Sequence, residues 1–161
     1  SAADIGVVRT AIAVRSSDAN PAVDEANSLR AALLAADAVY FPDPTLATAG
    51  IHFAKVLHGL ALADTLRTRL RPAPNGIAAM RALAAALEPR PIGCTQVTEI
   101  LHTPGITFAG SLPKPFELVS LYTAAVCTRS RLPTEAARLA AFLGSDAARP
   151  MREQAGFGSL R

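Results

Sequence analysis

No apolar run in this sequence is long enough to span a membrane. The longest runs, Ala31–Ala36 and Ile77–Leu87, are bounded or interrupted by charged residues or proline and fall short of the ~20 residues that a spanning helix needs. The 16 basic residues are scattered and form no cluster interleaved with aromatic side chains, so we expect no nucleic-acid partner. The first residues, Ser1 to Asp4, lack the basic start and apolar core of an export signal, so we expect none within this chain.

The motifs of common catalytic and cofactor sites are also missing. Ser111 is followed by leucine and lacks the second glycine of a nucleophile elbow, and no glycine-rich phosphate loop is present. The three histidines, His52, His58 and His102, lack the i, i+3 or i, i+4 spacing that puts two metal ligands on one helix face. The sequence therefore predicts a protein that is not an enzyme and that has no cofactor and no metal site.

Cysteine is scarce. Cys94 and Cys127 each lie in a short apolar run typical of a strand. Because free cysteine commonly behaves as a small hydrophobic residue, we expect two buried free thiols. A disulfide or a reactive thiol is the alternative interpretation.

What remains is the composition of a globular α/β protein. Of the 161 residues, 50% are hydrophobic and 18% are charged, which suits one domain or one large lobe. β-rich runs alternate with helical patterns, which predicts α/β layers. The predicted strands are Ile5–Val14, Ala38–Phe41, Ile92–Val97, Ile106–Ala109 and Glu117–Cys127. The predicted helical segments are Val23–Ala36, Ile51–Leu62, Ala63–Leu70, Ile77–Leu87, Glu99–His102, Pro133–Leu143 and Asp146–Gln154, with a break at Arg71–Gly76.

The segment from Phe41 to Leu62 carries the clearest functional signal. It predicts a strand end, a polar turn and a helix whose first residues, Thr48, Ala49 and Gly50, are too small to cover their own backbone N–H groups. The first N–H groups of a helix lack internal acceptors, and the helix dipole places partial positive charge there, so such a start can bind an oxyanion without lysine or arginine. The alternative is that these residues are small because the helix packs closely against a neighbour.

Several segments, in order along the chain, resemble one family. They are Asp43-Pro-x4-Ala49-Gly50-Ile51, the region around Leu62-Ala-Asp64, Ile92-Gly93-x-Thr95-Gln96-x2-Glu99-Ile100, Gly105-Ile106-Thr-Phe-Ala-Gly110-x-Leu112-Pro113, and the ending from Ala147 to Phe157. Together they resemble periplasmic molybdate-binding proteins, the solute receptors of molybdate and tungstate ABC importers. The resemblance extends over roughly Gly6 to Phe157.

This resemblance implies two α/β lobes joined by crossing strands, with an oxyanion held between them by helix-start N–H groups and neutral hydroxyls. On this mapping, residues 8–118 form the second lobe, a mixed sheet flanked by helices. Residues 119–161 form a crossover strand and C-terminal helices that belong with the first lobe. The serine-bearing loops of the first lobe are not expected in this chain, which would then hold half of a binding site.

The resemblance also assigns ligand contacts made by the backbone. Ala49 matches a residue whose N–H contacts the oxyanion, and Thr48 and Gly50 belong to the same helix start. A second helix start matches another main-chain contact, and its residues are Gly76, Ile77 and Ala78.

Gln96 occupies the place where molybdate receptors often have a tyrosine hydroxyl. An amide donates through its NH2 group but also presents an acceptor oxygen, which an anion would repel, so a related oxyanion or another small polar solute is an open alternative. Gln96 and Glu99 can also be interpreted as ordinary surface residues at a strand end.

The predicted function is that of the substrate-binding component of an ABC importer in the periplasm. Its predicted partners are a small oxyanion, such as molybdate or tungstate, and the membrane subunits of the importer. One alternative is the ligand-sensing module of a regulator with the same two-lobed architecture, and another is a small α/β hydrolase. Parts of Glu117–Cys127 and the tail helices would expose apolar surface, so we also expect self-association, with exchange of the tail between copies as one route.

Overall fold

The computed structural model describes residues 2–159 of the chain. The chain divides into two compact units. One is Arg9–Leu118, and the other joins the N-terminal residues up to Val8 with the segment that begins at Val119. Residues 160 and 161 of the predicted C-terminal part lie outside the described residues, and the assignment of the two parts to a second and a first lobe stays a prediction.

The unit Arg9–Leu118 is a mixed sheet flanked by helices, which confirms the predicted α/β fold. Its strands lie in the order β3-β2-β4-β1-β5. β2 is parallel to β3 and β4, whereas β1 is antiparallel to β4 and β5. In chain order the elements are β1 (Ala2–Arg15, which begins in the other unit), α1 (Ala26–Ala35), β2 (Ala38–Pro42), α2 (Thr48–Gly59), β3 (Leu70–Ala73), α3 (Gly76–Ala84), β4 (Pro91–Gln96), α4 (Val97–Leu101) and β5 (Ile106–Ser111).

Helices cover both faces of this sheet. Successive side chains of a strand point to opposite faces, so neighbouring residues of β1 enter different layers of the core. On one face, α1 and α2 pack against Ile12 and Cys94. On the other face, α3 and α4 pack against Ala11 and Ala13.

Sequence analysis missed strand β3. The predicted helix Ala63–Leu70 is wrong beyond one short 3-10 turn at Arg67–Arg69, and part of the predicted break is a strand. β3 lies at the edge of the sheet and pairs in parallel with β2, with Pro72 opposite Phe41. An edge strand tolerates proline because the missing N–H can face away from the ladder.

Helix α1 begins later than the sequence predicts. Glu25 is the N-cap residue, and its backbone N–H donates to the Ser28 hydroxyl at 3.0 Å. Asp24 and Glu25 therefore precede the helix, and no acidic residue lies in its first turn. The predicted start at Val23 is wrong, because Glu25 and Ser28 form a capping box that places the N-cap at Glu25, two residues after Val23.

In the smaller unit, β6 (Val119–Ala125) pairs with β1, and Val7 forms an isolated bridge with Gly158. α5 (Pro133–Gly144) agrees with the predicted helix. The predicted helix Asp146–Gln154 is divided into a 3-10 turn, Asp146–Ala148, and α6 (Arg149–Gln154). In residues 2–159, no helix combines the length and apolar character needed to cross a membrane.

The two cysteines differ in environment. Both are free, as expected. Cys94 is buried, and burial raises the pKa of its thiol well above the usual value. Cys127 is exposed, so the prediction that it is buried is wrong. β6 ends at Ala125, and Cys127 therefore lies in the connection that follows the strand.

Candidate functional site

The three parallel strands β2, β3 and β4 have their carboxyl ends on the same side of the sheet, which we call the carboxyl edge. A helix begins just beyond each of these ends. β3 leads to α3, β2 leads to α2, and β4 runs directly into α4. Because β2 lies between β3 and β4, these helix starts are brought to the same edge. α2 then packs on one face of the sheet and α4 on the other. In open parallel sheets, ligands bind in the crevice where neighbouring strands send their helices to opposite faces, which is the arrangement of β2 and β4.

The start of α2 has no side-chain cap. Its N-cap residue is Ala47, whose extended backbone (φ −98°, ψ 130°) leads into the helix and whose methyl group accepts no hydrogen bond. The first intrahelical bond runs from the Ile51 N–H to the Ala47 carbonyl at 2.8 Å. The first turn contains no acidic side chain. No capping side chain therefore accepts a hydrogen bond from the leading N–H groups of α2. No acidic side chain of the first turn balances the positive end of its dipole.

Gly50 is small because α2 lies directly on the preceding turn. A β-carbon at this position would lie 2.2 Å from the carbonyl oxygens of both Pro42 and Asp43. The packing interpretation therefore accounts for the glycine. Ala49 is also buried, at 5% exposure, so packing accounts for its small size as well, whereas Thr48 is exposed.

The turn before α2 is organised by one carboxylate. Asp43 accepts hydrogen bonds from the N–H of Thr45 at 2.7 Å, the N–H of Leu46 at 2.9 Å and the Thr45 hydroxyl at 2.7 Å. The Thr45 hydroxyl, followed by the two backbone N–H groups, lowers the pKa of the Asp43 carboxyl. The turn therefore holds an ionised aspartate at neutral pH. Hydrogen-bond donors of the same turn stabilise its negative charge.

The start of α3 is more fully occupied. Its N-cap residue, Asn75, accepts a hydrogen bond from the Ala78 N–H at 2.9 Å through its side-chain oxygen. The N–H of Ala78 is therefore already used within the protein. Of the three predicted contacts on α3, this observation leaves the N–H groups of Gly76 and Ile77 for a ligand.

A carboxylate also lies against the start of α3. The Thr95 hydroxyl donates to Glu99 at 2.5 Å, and a β-carbon at Gly76 would lie 1.9 Å from the same Glu99 oxygen. Glu99 is half-buried, so it is not the free surface residue that the sequence allows. An acidic group at a helix start is stabilising, and it also repels an incoming anion.

Gln96 is the last residue of β4 and the N-cap residue of α4. It is half-buried, and it pairs with Thr10 across the antiparallel β1–β4 ladder. The structure thus brings the predicted site residues of α2, α3 and β4 to one edge of the sheet. Their contact with a ligand stays a prediction.

Nearly the whole chain matches one protein family. The family is described as bacterial extracellular solute-binding protein, and the match covers residues 1–158. The chain belongs to this family. Among curated relatives of this solute-binding chain, it is similar to an aconitate isomerase from Pseudomonas sp., with 26% identity over 155 residues. That similarity covers 93% of the chain but 56% of the relative, so the chain spans about half of the relative's length.

Solved structures similar to this solute-binding chain show the same fold. One is a substrate-binding domain assigned to a molybdenum ABC transporter from Clostridium difficile, with a TM-score of 0.74, 14% identity, and coverage of 99% of this chain and 67% of that one. Another is the periplasmic molybdate-binding protein of Azotobacter vinelandii, with a TM-score of 0.70, 14% identity, and coverage of 100% and 69%. At this identity, the likeness concerns the fold alone.

Proposed function

We propose that this solute-binding chain captures a small oxyanion of the molybdate or tungstate type and delivers it, as part of the whole receptor, to the membrane subunits of an ABC importer. The observation that carries the proposal is the start of α2, where leading N–H groups lie at the carboxyl edge of the sheet without a capping side chain. Such a start binds an anion through hydrogen bonds and the helix dipole. The family description and the two solved structures support a receptor, and a periplasmic location is part of the proposal.

The proposed mechanism is binding without covalent chemistry. Neutral donors hold the anion without a titratable cation, so affinity should change little across the range in which the ligand keeps its charge. The chain covers about two thirds of the two solved structures, so we expect the 161 residues alone to bind weakly. Micromolar affinity of this chain for molybdate would contradict that half-site expectation.

A second candidate function is favoured by the curated relative. An aconitate isomerase acts on a carboxylate, and moving a proton within such a substrate needs an acid or base within reach. Glu99 lies at the same sheet edge, beside the start of α3, and has the chemistry for that role. On this interpretation, the helix starts would hold carboxylate groups instead of a tetrahedral oxyanion.

The two functions separate in one set of titrations. Molybdate, tungstate, sulfate and cis-aconitate are titrated into the chain by calorimetry and by NMR, which detects millimolar binding. The proton spectrum of cis-aconitate is then followed for conversion to the trans isomer. We expect binding of molybdate and tungstate and no conversion. Catalysed conversion that is lost in Glu99→Gln would establish the second function, and binding of none of the three oxyanions would remove the first.

A further inference from the structure

One buried hydroxyl is left without a hydrogen-bond partner. Among residues 2–159, the hydroxyl oxygen of Thr10 is the one buried side-chain polar atom that lacks a partner, and Thr10 is 1% exposed. The backbone of Thr10 is satisfied: its N–H donates to the Leu118 carbonyl at 3.0 Å, and its carbonyl accepts from the Leu112 N–H at 3.2 Å. The strand therefore makes its bonds, and the side chain alone does not.

Burying this hydroxyl unpaired costs folding free energy, whereas valine would fill nearly the same space without that cost. Buried polar groups in folded proteins are nearly always paired, so an exception requires an explanation such as a ligand. The position of Thr10 suggests which ligand that is.

Thr10 lies beside Gln96 at the carboxyl edge of the sheet. The two residues are register partners, and both backbone bonds of Thr10 go to the other side of β1. The pair therefore exchanges no backbone hydrogen bonds, and in such antiparallel pairs the side chains come closest together. Because Gln96 ends β4, Thr10 is level with the point where the helices begin.

The Thr10 side chain lies on the sheet face that α1 and α2 cover. Along β1 and β4, Ile12 and Cys94 are register partners that pack in the core layer with Phe53 of α2. Side chains two residues apart share a face, so Thr10 and Gln96 are on that same face. The unpartnered hydroxyl is thus on the face and at the edge where α2 presents its uncapped start.

We propose that Thr10 is a ligand-binding residue of the oxyanion site, and that its hydroxyl donates a hydrogen bond to the bound oxyanion. This inference rests on the proposed function. The hydroxyl is buried, so contact with a ligand requires a neighbouring side chain to turn aside. We assign this movement to Gln96, which is the register partner of Thr10 and is half-buried. The contact extends the site from α2 across β4 to β1.

Two variants test the proposal. Thr10→Val keeps the shape of the side chain and removes the hydroxyl, whereas Thr10→Ser keeps the hydroxyl. We expect Thr10→Val to raise the melting temperature by about 2 to 4 °C, because it removes an unpaired buried group. We also expect it to weaken molybdate binding by about fivefold or more, the effect of one lost hydrogen bond. Thr10→Ser should bind within about twofold of wild type, the scatter expected when the hydrogen bond is kept.

Greater stability with weaker binding is a combination that a merely structural threonine would not produce. The proposal is overturned if Thr10→Val binds molybdate as tightly as wild type, or if its melting temperature falls, since a fall would show that the hydroxyl has a partner in the free protein. If wild type binds molybdate and Thr10→Val binds it equally well, the Thr10 contact alone fails. If wild type binds no oxyanion at all, the proposed function and this contact fail together.

Discussion

Gly50 lies so close to the carbonyl oxygen of Asp43 that a β-carbon at Gly50 would be 2.2 Å from it. The carbonyl oxygen of Pro42 would be equally close. Both oxygens belong to the backbone, so neither can rotate aside as a side chain would. α2 and the turn before it are therefore one packed unit. The position of the leading N–H groups of α2 depends on this contact.

The first prediction concerns this contact. Gly50→Ala should lower the free energy of unfolding by about 2 kcal/mol or more, because the backbone must shift to admit the methyl group. Gly59→Ala, in the last turn of the same helix, is the matched control: its β-carbon would meet only the Phe116 ring, at 3.2 Å. Urea unfolding should give a clearly lower free energy of unfolding for Gly50→Ala than for Gly59→Ala. Equal stability of the two would contradict the account of α2.

This region shows what the sequence could predict. The helix start was recognisable because small residues follow a strand end and a polar turn, and both features are local. That Gly50 rests on Asp43 was not recognisable, because the contact depends on how the helix folds back over the turn. The sequence offers packing and anion binding as alternatives for this segment. The structure supports packing for Ala49 and Gly50, and the leading N–H groups are the part that bears on function.

Other parts depended on contacts between distant residues. β3 carries Pro72, which argues against a strand unless the strand is known to lie at an edge. Glu99 has no local signal for its place against Gly76, which lies 23 positions earlier in the sequence. Thr10 is a threonine among mostly apolar residues of β1. The sequence cannot show that its hydroxyl lacks a partner, because this depends on the neighbouring strands and helices.

The second prediction concerns the carboxylate at the start of α3. Glu99→Gln keeps an acceptor for the Thr95 hydroxyl and removes the negative charge beside Gly76. If α3 contributes to the site, oxyanion affinity should rise by about two- to fivefold, the usual effect of one charge at a helix start.

Glu88→Gln is the matched control for this charge change. Glu88 accepts a hydrogen bond from the Tyr40 hydroxyl and lies before β4, away from the helix starts. Titration of both variants with molybdate should therefore show tighter binding only for Glu99→Gln. An equal rise in both would mean that net charge, and not the position of Glu99, controls affinity.

The third prediction concerns pH. The turn donors hold the pKa of Asp43 below its value in the unfolded chain, so ionisation of this group favours the folded state. That contribution is fully present above the unfolded value of about 3.9 and is lost as the pH falls through the folded value. In Asp43→Asn, an acceptor oxygen remains but the ionisation is gone. The stability difference between wild type and Asp43→Asn should be larger at pH 7 than at pH 3, as measured by urea unfolding. An unchanged difference would show that the turn does not depend on the charge.

The fourth prediction concerns self-association of the chain. The smaller unit exposes large apolar side chains, among them Leu121 on β6 at 55% exposure and Leu139 on α5 at 58%. Exposed patches of this kind promote association. Light scattering should therefore show an average mass that rises with protein concentration, and Leu139→Glu should reduce the rise. A monomer at every concentration would contradict the prediction.

The central claim is that the uncapped N–H groups of α2 bind an oxyanion, and an NMR titration tests it most directly. Molybdate is added to the 15N-labelled chain, to Thr48→Pro and to Thr48→Ala. Proline suits the first helical position because Ala47 before it is already extended, and it removes one N–H; alanine removes only the hydroxyl. We predict amide shifts centred on Thr48, Ala49 and Gly50, retained in Thr48→Ala and weakened in Thr48→Pro. Amide chemical-shift changes that do not involve the start of α2 would contradict the claim that its N–H groups bind the oxyanion. Undiminished molybdate binding by Thr48→Pro would contradict it as well.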